Sequence, residues 1–246
     1  MIESYRGSME AIILAGGYGQ RMGTATSDTQ KCLLPIDGQP VIGHILQRLV
    51  TAFGSVDVKV GVGYRGEAVR DWIERNKPNS VTVEYIPHTP GSEYLAYMSM
   101  ENYIHGDFIA TAGDVIVSSN AYTDVINAYY VLKPDLVIAF SPSTNEVLTH
   151  AVGKIDTDGN ISDFLWPPPI PVEDGYVRDM SLYASNKEGF FNNILKAFPS
   201  ISEGQERSIQ KSLEHGLPIK GLVYPNNWIH LADTNDLEKS ASKRGI

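Results

Sequence analysis

Cysteine is almost missing: Cys32 stands alone among 246 residues. No intrachain disulfide can form, and nothing points to an oxidising compartment. Cys32 follows Lys31 directly, so a reactive thiol and a buried, inert one are both open readings. No apolar run approaches the ~18 residues needed to cross a bilayer. Residues 1–9 lack the apolar segment of a signal peptide and are expected to form a loose leader. The expected setting is the cytoplasm, with no membrane partner. Positive charge is also scarce. Lys and Arg number 20 against 29 Asp and Glu, for a net charge of −9, which argues against nucleic-acid binding driven by bulk electrostatics. An acidic chain can still hold a nucleotide through a local cationic pocket and a divalent ion.

Two common phosphate-loop patterns are absent as well. No Gly-x-x-x-x-Gly-Lys followed by Ser or Thr occurs. No Gly-x-Gly-x-x-Gly opens a helix either: Gly17-x-Gly19 is followed by Met22, and the next strand, 58–63, is not closed by an acidic residue. A nicotinamide-dependent oxidoreductase is therefore disfavoured.

What is present is the stretch 10–22. Ala11 to Leu14 is a short apolar run that reads as a buried strand entering the loop Ala15-Gly16-Gly17-Tyr18-Gly19. Glycines let such a loop turn sharply and bring backbone N–H groups close to an anion. Arg21 follows, and Lys31 comes ten residues later. Backbone donors, a guanidinium fork and an ammonium together suit phosphate. A tight turn without ligand is the bland alternative.

Leu14-Ala15-Gly16-Gly17-x-Gly19-x-Arg21-Met22, then Thr26, then Lys31-x-Leu33-Leu34-Pro35-Ile36, resembles the signature of the sugar-1-phosphate nucleotidyltransferases. Arg21-Met22-Gly23 and Lys31-x-Leu33-Leu34-Pro35 are also similar to segments of the isoprenoid-precursor cytidylyltransferases and molybdenum-cofactor guanylyltransferases. The family usually has proline before the lysine, where this chain has Gln30. The resemblance is strong over residues 10–50 and weaker beyond. It implies an enzyme that joins a nucleoside monophosphate from an NTP to a phosphorylated sugar or alcohol, with Mg²⁺ as cofactor and pyrophosphate released. Homo-oligomer formation stays open, and the acetyltransferase or β-helical appendage of some relatives is expected to be absent.

Along the chain, apolar residues recur at helical spacing from Val41 to Val50, and strands are expected over 56–62 and 81–86 with a helix over 67–75 between them. Strands alternating with helices argue for an α/β fold, a doubly wound, mostly parallel central sheet of Rossmann-like type. A small mixed half should follow. Residues 10–246 are expected to be a single domain, with 10–141 holding the NTP and 142–246 the acceptor. Helices are expected over 122–132 and near Phe190 and Ile209, strands over 136–140 and 219–224, and a hairpin around the turn Asp156-Thr157-Asp158-Gly159-Asn160.

Ligands of such sheets sit beyond the carboxyl ends of the strands. The resemblance assigns Leu14, Ala15, Gly16, Gly17, Gly19, Gly91 and Ser92 to the nucleotide, and Arg21 and Lys31 to catalysis. Ser92 reads equally well as a helix N-cap. Gly113-Asp114 ends an apolar strand, and the resemblance makes Asp114 a Mg²⁺ ligand. In the family's closing motif His230 takes the second metal position, and Asp233 is either the displaced ligand or a helix cap. The resemblance places Gly153 and Asp179 at the acceptor. Trp166-Pro167 stands where the family commonly has a lysine that grips the sugar phosphate. Arg178 is the candidate substitute, the alternative being an exposed arginine paired with Glu173 or Asp174. The lost lysine and the histidine at 230 leave a second reading, a catalytically degenerate member that binds an activated sugar as a regulator.

Overall fold

The computed structural model describes residues 9–142, 150–169, 171–225 and 228–232. The chain divides into two compact units. The first holds 1–91, 111–123 and 227–246, the second 92–110 and 124–226. Residues 92–110 and 124–141, expected with the NTP-binding half, fall in the second unit.

In the first unit, strands Met9–Leu14, Val56–Val62 and Val81–Pro87 are parallel, with Leu14 opposite Gly61 and Gly61 opposite Ile86. Ile12, Ile13, Val58 and Val60 are fully buried, which explains their near-continuous apolar pattern. Helix Val41–Phe53 presents Ile42, Ile45, Leu46 and Leu49 to this core, and helix Gly66–Asn76 buries Val69 and Ile73. Each such side chain contributes roughly 1.5–3 kcal/mol through burial. A short antiparallel pair joins Val115–Ile116 to Ile229–His230.

Strand Asp107–Ala112 starts in the second unit and passes into the first at Thr111. The rest of the second unit is mixed. Strand Leu136–Ser141 pairs antiparallel with Val177–Asn186 and parallel with Ile219–Val223. The expected hairpin is present as Val152–Ile155 and Ile161–Leu165. Its turn is tied by the Asp156 carboxylate, which accepts from the Asp158 and Asn160 N–H groups at 2.9 and 2.8 Å. Phe190 sits against Tyr97 and Phe108, ring centroids 5.0 and 5.8 Å away, so the apolar face around it is core. The α/β class with a mostly parallel sheet is as expected. The segment after the glycines winds into 3₁₀ turns over Gln20–Thr26, kinked at Gly23, and Lys31–Leu33.

Candidate active site

The glycine loop follows the first strand, and its carbonyl groups are held from behind one by one. The Gly16 carbonyl accepts from the Tyr64 N–H at 3.0 Å. The Gly17 carbonyl accepts from Gln30 Nε2 at 3.2 Å. The Gly19 carbonyl accepts from Thr26 Oγ1 and the Met22 N–H, both at 2.9 Å. In a planar trans peptide the next N–H points opposite to its carbonyl. Fixing the Gly16 and Gly17 carbonyls therefore aims the Gly17 and Tyr18 N–H groups the other way. Neither N–H donates a hydrogen bond among the described residues, and Gly17 and Tyr18 are exposed. Two outward backbone donors on a loop pinned through its carbonyls can receive an anion.

The glycines have separate reasons. A Cβ at Gly16 would collide with the His88 ring and lie 2.6 Å from Gly63 N, whereas Gly17 faces open space and Gly19 needs its φ of +64°. Leu14 and Ala15 serve the frame. The Leu14 carbonyl accepts from the Gly113 N–H at 2.9 Å, and the Ala15 N–H donates to the Gly61 carbonyl at 2.8 Å. The Tyr64 hydroxyl and Arg65 guanidinium donate to the Ser27 carbonyl at 2.8 and 2.9 Å, holding the turn after the loop.

The Gly113–Leu14 bond sets Asp114 beside the loop. Lys31 Nζ lies 2.6 Å from Asp114 Oδ2, with side-chain exposures of 11% and 22%. His230 Nε2 is 3.7 Å from the same oxygen. Burial alone would raise the Asp114 carboxyl; Lys31 and then His230 outweigh it and hold the group well below the usual carboxylate range. The structure thus brings together the glycines, Lys31, Asp114 and His230. Arg21 is exposed on the turn that follows the loop. Cys32 is buried, and burial followed by Asp114 pushes its thiol well up, so the inert reading holds.

As a metal donor set, Asp114 offers one hard carboxylate. Mg²⁺ is commonly held by one or two carboxylates completed by phosphates and water, so the set fits the ion sparingly. His230 adds only a nitrogen, which suits Mg²⁺ poorly. Asp233 and the helix expected to follow it lie outside the described residues.

Gly91, at φ +114°, has open space around its Cα. Ser92 Oγ accepts from the Leu95 N–H at 3.3 Å and donates to the Ile201 carbonyl at 2.7 Å, so its N-cap role is real. In the second unit a Cβ at Gly153 would press on Phe140 at 3.1 Å, so packing explains that glycine. Asp179 is buried; its carboxylate accepts from the Ser181 N–H at 2.7 Å and the Tyr183 hydroxyl at 2.8 Å. Arg178 is 2% exposed on its strand, so it is not the exposed arginine of one expectation. Glu173 pairs with Lys154 instead, at 3.8 Å.

Gln30, Tyr64, Arg65 and His88 carry site geometry and were not singled out as site residues. Only Gln30 left a sequence signal, as the departure from proline. A cavity of about 610 Å³ opens beside the loop, lined by Tyr18, Tyr64, Arg70, His88 and Thr89 among others. Burial lowers the His88 imidazole below its ordinary value.

A family model described as the MobA-like NTP transferase domain matches residues 11–155. The bifunctional protein GlmU of Methanococcus maripaludis is 34% identical over 220 residues, 87% of this chain and 50% of that protein. The glucose-1-phosphate thymidylyltransferase of Streptomyces griseus is 25% identical over 231 residues, 93% of this chain and 64% of that protein. The chain thus spans about half the length of the first of these relatives. A solved UDP-glucose pyrophosphorylase complexed with UDP-glucose matches the fold with a TM-score of 0.82 at 14% identity, over 96% of this chain and 98% of that one.

Proposed function

The chain belongs to the MobA-like NTP transferase family, and from that premise we propose that it transfers a nucleoside monophosphate from an NTP to a sugar-1-phosphate or similar phosphorylated acceptor. One observation carries the reading: Lys31 and Asp114 form a 2.6 Å ion pair beside a loop whose free N–H groups face solvent.

In this reaction an acceptor phosphate oxygen attacks the α-phosphorus of the NTP, and the bond to the departing pyrophosphate breaks. The nucleophile is already an anion, so no general base is required. The protein must hold two polyanions in line and offset their charge. The Gly17 and Tyr18 N–H groups and Arg21 receive the triphosphate. Lys31 exchanges its contact with Asp114 for the phosphates near the reacting centre. Asp114 is the residue that would hold Mg²⁺, which supplies charge neutralisation on phosphate oxygens when bound. The cavity beside Tyr18 takes the nucleoside. We place the protein in the cytoplasm; no helix among the described residues is long and apolar enough to cross a membrane.

The test is a pyrophosphate-release screen of the common NTPs with Mg²⁺ against hexose, heptose, cyclitol and alcohol phosphates. Release that depends on one NTP and one acceptor class is expected. Release from no pair would end the reading and favour the regulator.

A further inference from the structure

Gln30 stands between the two parts of the proposed site that must act together. It is 2% exposed, and both ends of its amide are engaged. Nε2 donates to the Gly17 carbonyl at 3.2 Å. Oε1 accepts from the Cys32 N–H at 2.5 Å. The first bond fixes the peptide that carries the Tyr18 N–H. The second closes the 3₁₀ turn whose first residue is Lys31, with the Gln30 carbonyl accepting from the Leu33 N–H at 2.9 Å. One side chain therefore sets the direction of a loop donor and the backbone from which the Lys31 ammonium reaches Asp114.

A buried primary amide is a poor choice for filling space alone, because each unmatched polar atom is costly. A proline at this position would also fit. The Gln30 φ of −72° lies in proline's range, and the Gln30 N–H donates no hydrogen bond among the described residues. Proline would stiffen the Lys31 turn but could not reach Gly17. Glutamine does both.

We infer that Gln30 is a positioning residue for nucleotidyl transfer, holding the glycine loop and the Lys31 turn in one fixed relation. This rests on the reading of the site as an NTP site. The two bonds act on different steps. The Gly17 bond orders a donor that meets the NTP on binding. The Cys32 bond orders the lysine that meets the charge developing in the reaction.

The experiment compares wild type, Gln30→Met and Gln30→Pro for kcat, for KM of NTP and acceptor, and for Tm. Gln30→Met keeps volume and loses both bonds; it should lose about 10- to 100-fold in kcat/KM for NTP, the scale expected when reacting groups shift by about an ångström. Gln30→Pro restores the stiff turn and lacks the Gly17 bond, so it should raise the NTP KM while returning kcat toward wild type. The acceptor KM should stay within about twofold in both, since Gln30 touches only the nucleotide side. Wild-type NTP kinetics in both variants would overturn the role. So would losses that fall equally on NTP and acceptor and follow the drop in Tm, which mark a merely structural residue. Absence of turnover and of calorimetric NTP binding in wild type is a separate outcome, and it would end the underlying reading together with this one.

Discussion

The glycine loop of the first unit and the strand Val177–Asn186 of the second handle polar groups in opposite ways. In the loop, side chains from behind (Gln30, Thr26) and the Tyr64 N–H take the carbonyls, and N–H groups are left facing solvent. Along the strand, the polar side chains themselves turn inward. Arg178, Asp179, Ser181 and Ser185 are all buried, and Asp179 is bonded to its neighbours. The first arrangement leaves hydrogen-bonding capacity for a ligand. The second uses it for the fold. A polar residue in a family motif is thus no guide to exposure, whereas a loop with its carbonyls pinned and its donors free is a guide to binding.

The sharpest way to break this comparison is Lys31→Ala. Lys31 is the cation of the open region, and losing one charge-stabilising group at a reacting centre typically costs about 10²–10³ in rate. We expect kcat to fall at least about a hundredfold by that measure, with cooperative unfolding retained at a lower stability, because the largely enclosed Asp114 carboxylate loses its nearest cation. Near-normal kcat in a folded variant would refute the role.

Next is Gly16→Ala. The added Cβ meets the His88 ring and the Gly63 backbone, and the latter cannot give way cheaply. Overpacking should cost about 1–3 kcal/mol. Urea unfolding measures it, and Gly17→Ala, which meets nothing within 4 Å, is the control that should cost far less.

Asp179 sharpens the inward region. Burial pushes its carboxyl up to about 7, against the lowering effect of the Tyr183 hydroxyl and the Ser181 N–H. The raised value means that the folded protein keeps a proton that the unfolded chain releases. Stability from this group is therefore present at low pH and lost as pH rises from about 4 to about 7. Asp179→Asn removes that loss, so its stability relative to wild type should improve by about 2–3 kcal/mol between pH 5 and pH 8. Parallel pH profiles for the two proteins would show that the carboxyl does not titrate in this window.

The smallest effect is expected from Ser181→Gly. Ser181 sits at φ +51°, and its Oγ lies 3.0 Å from His150 Nδ1. Glycine relieves the left-handed strain and loses that contact, so stability should change by less than about 1 kcal/mol. A larger loss would show that the Ser181–His150 contact dominates.

Much of this was legible in the sequence, unevenly. The strand 11–14, the glycines and the alternation of strands and helices follow from local pattern, and the relatives bear out the sugar-1-phosphate nucleotidyltransferase resemblance. The Lys31–Asp114 meeting spans 83 residues and was reachable only through the family motif, since no local pattern encodes it. The back-side supports were not legible. Tyr64 and Arg65 act through a strand end 37 or 38 residues away from Ser27, and His88 through a parallel strand two places across the sheet. The burial of Arg178 was not legible either, because a lone arginine on a strand carries no sign of how deeply it is enclosed.

The central claim is that the first unit's loop receives an NTP whose α-phosphorus is transferred. The most direct measurement follows both products from an NTP labelled at its α-phosphate, incubated with Mg²⁺ and the panel of acceptor phosphates. The account predicts pyrophosphate and a nucleoside-diphosphate-linked product carrying the label, in equal amounts, and the loss of both in Lys31→Ala. Label that stays in the NTP with every acceptor, or release of orthophosphate in place of pyrophosphate, would contradict it.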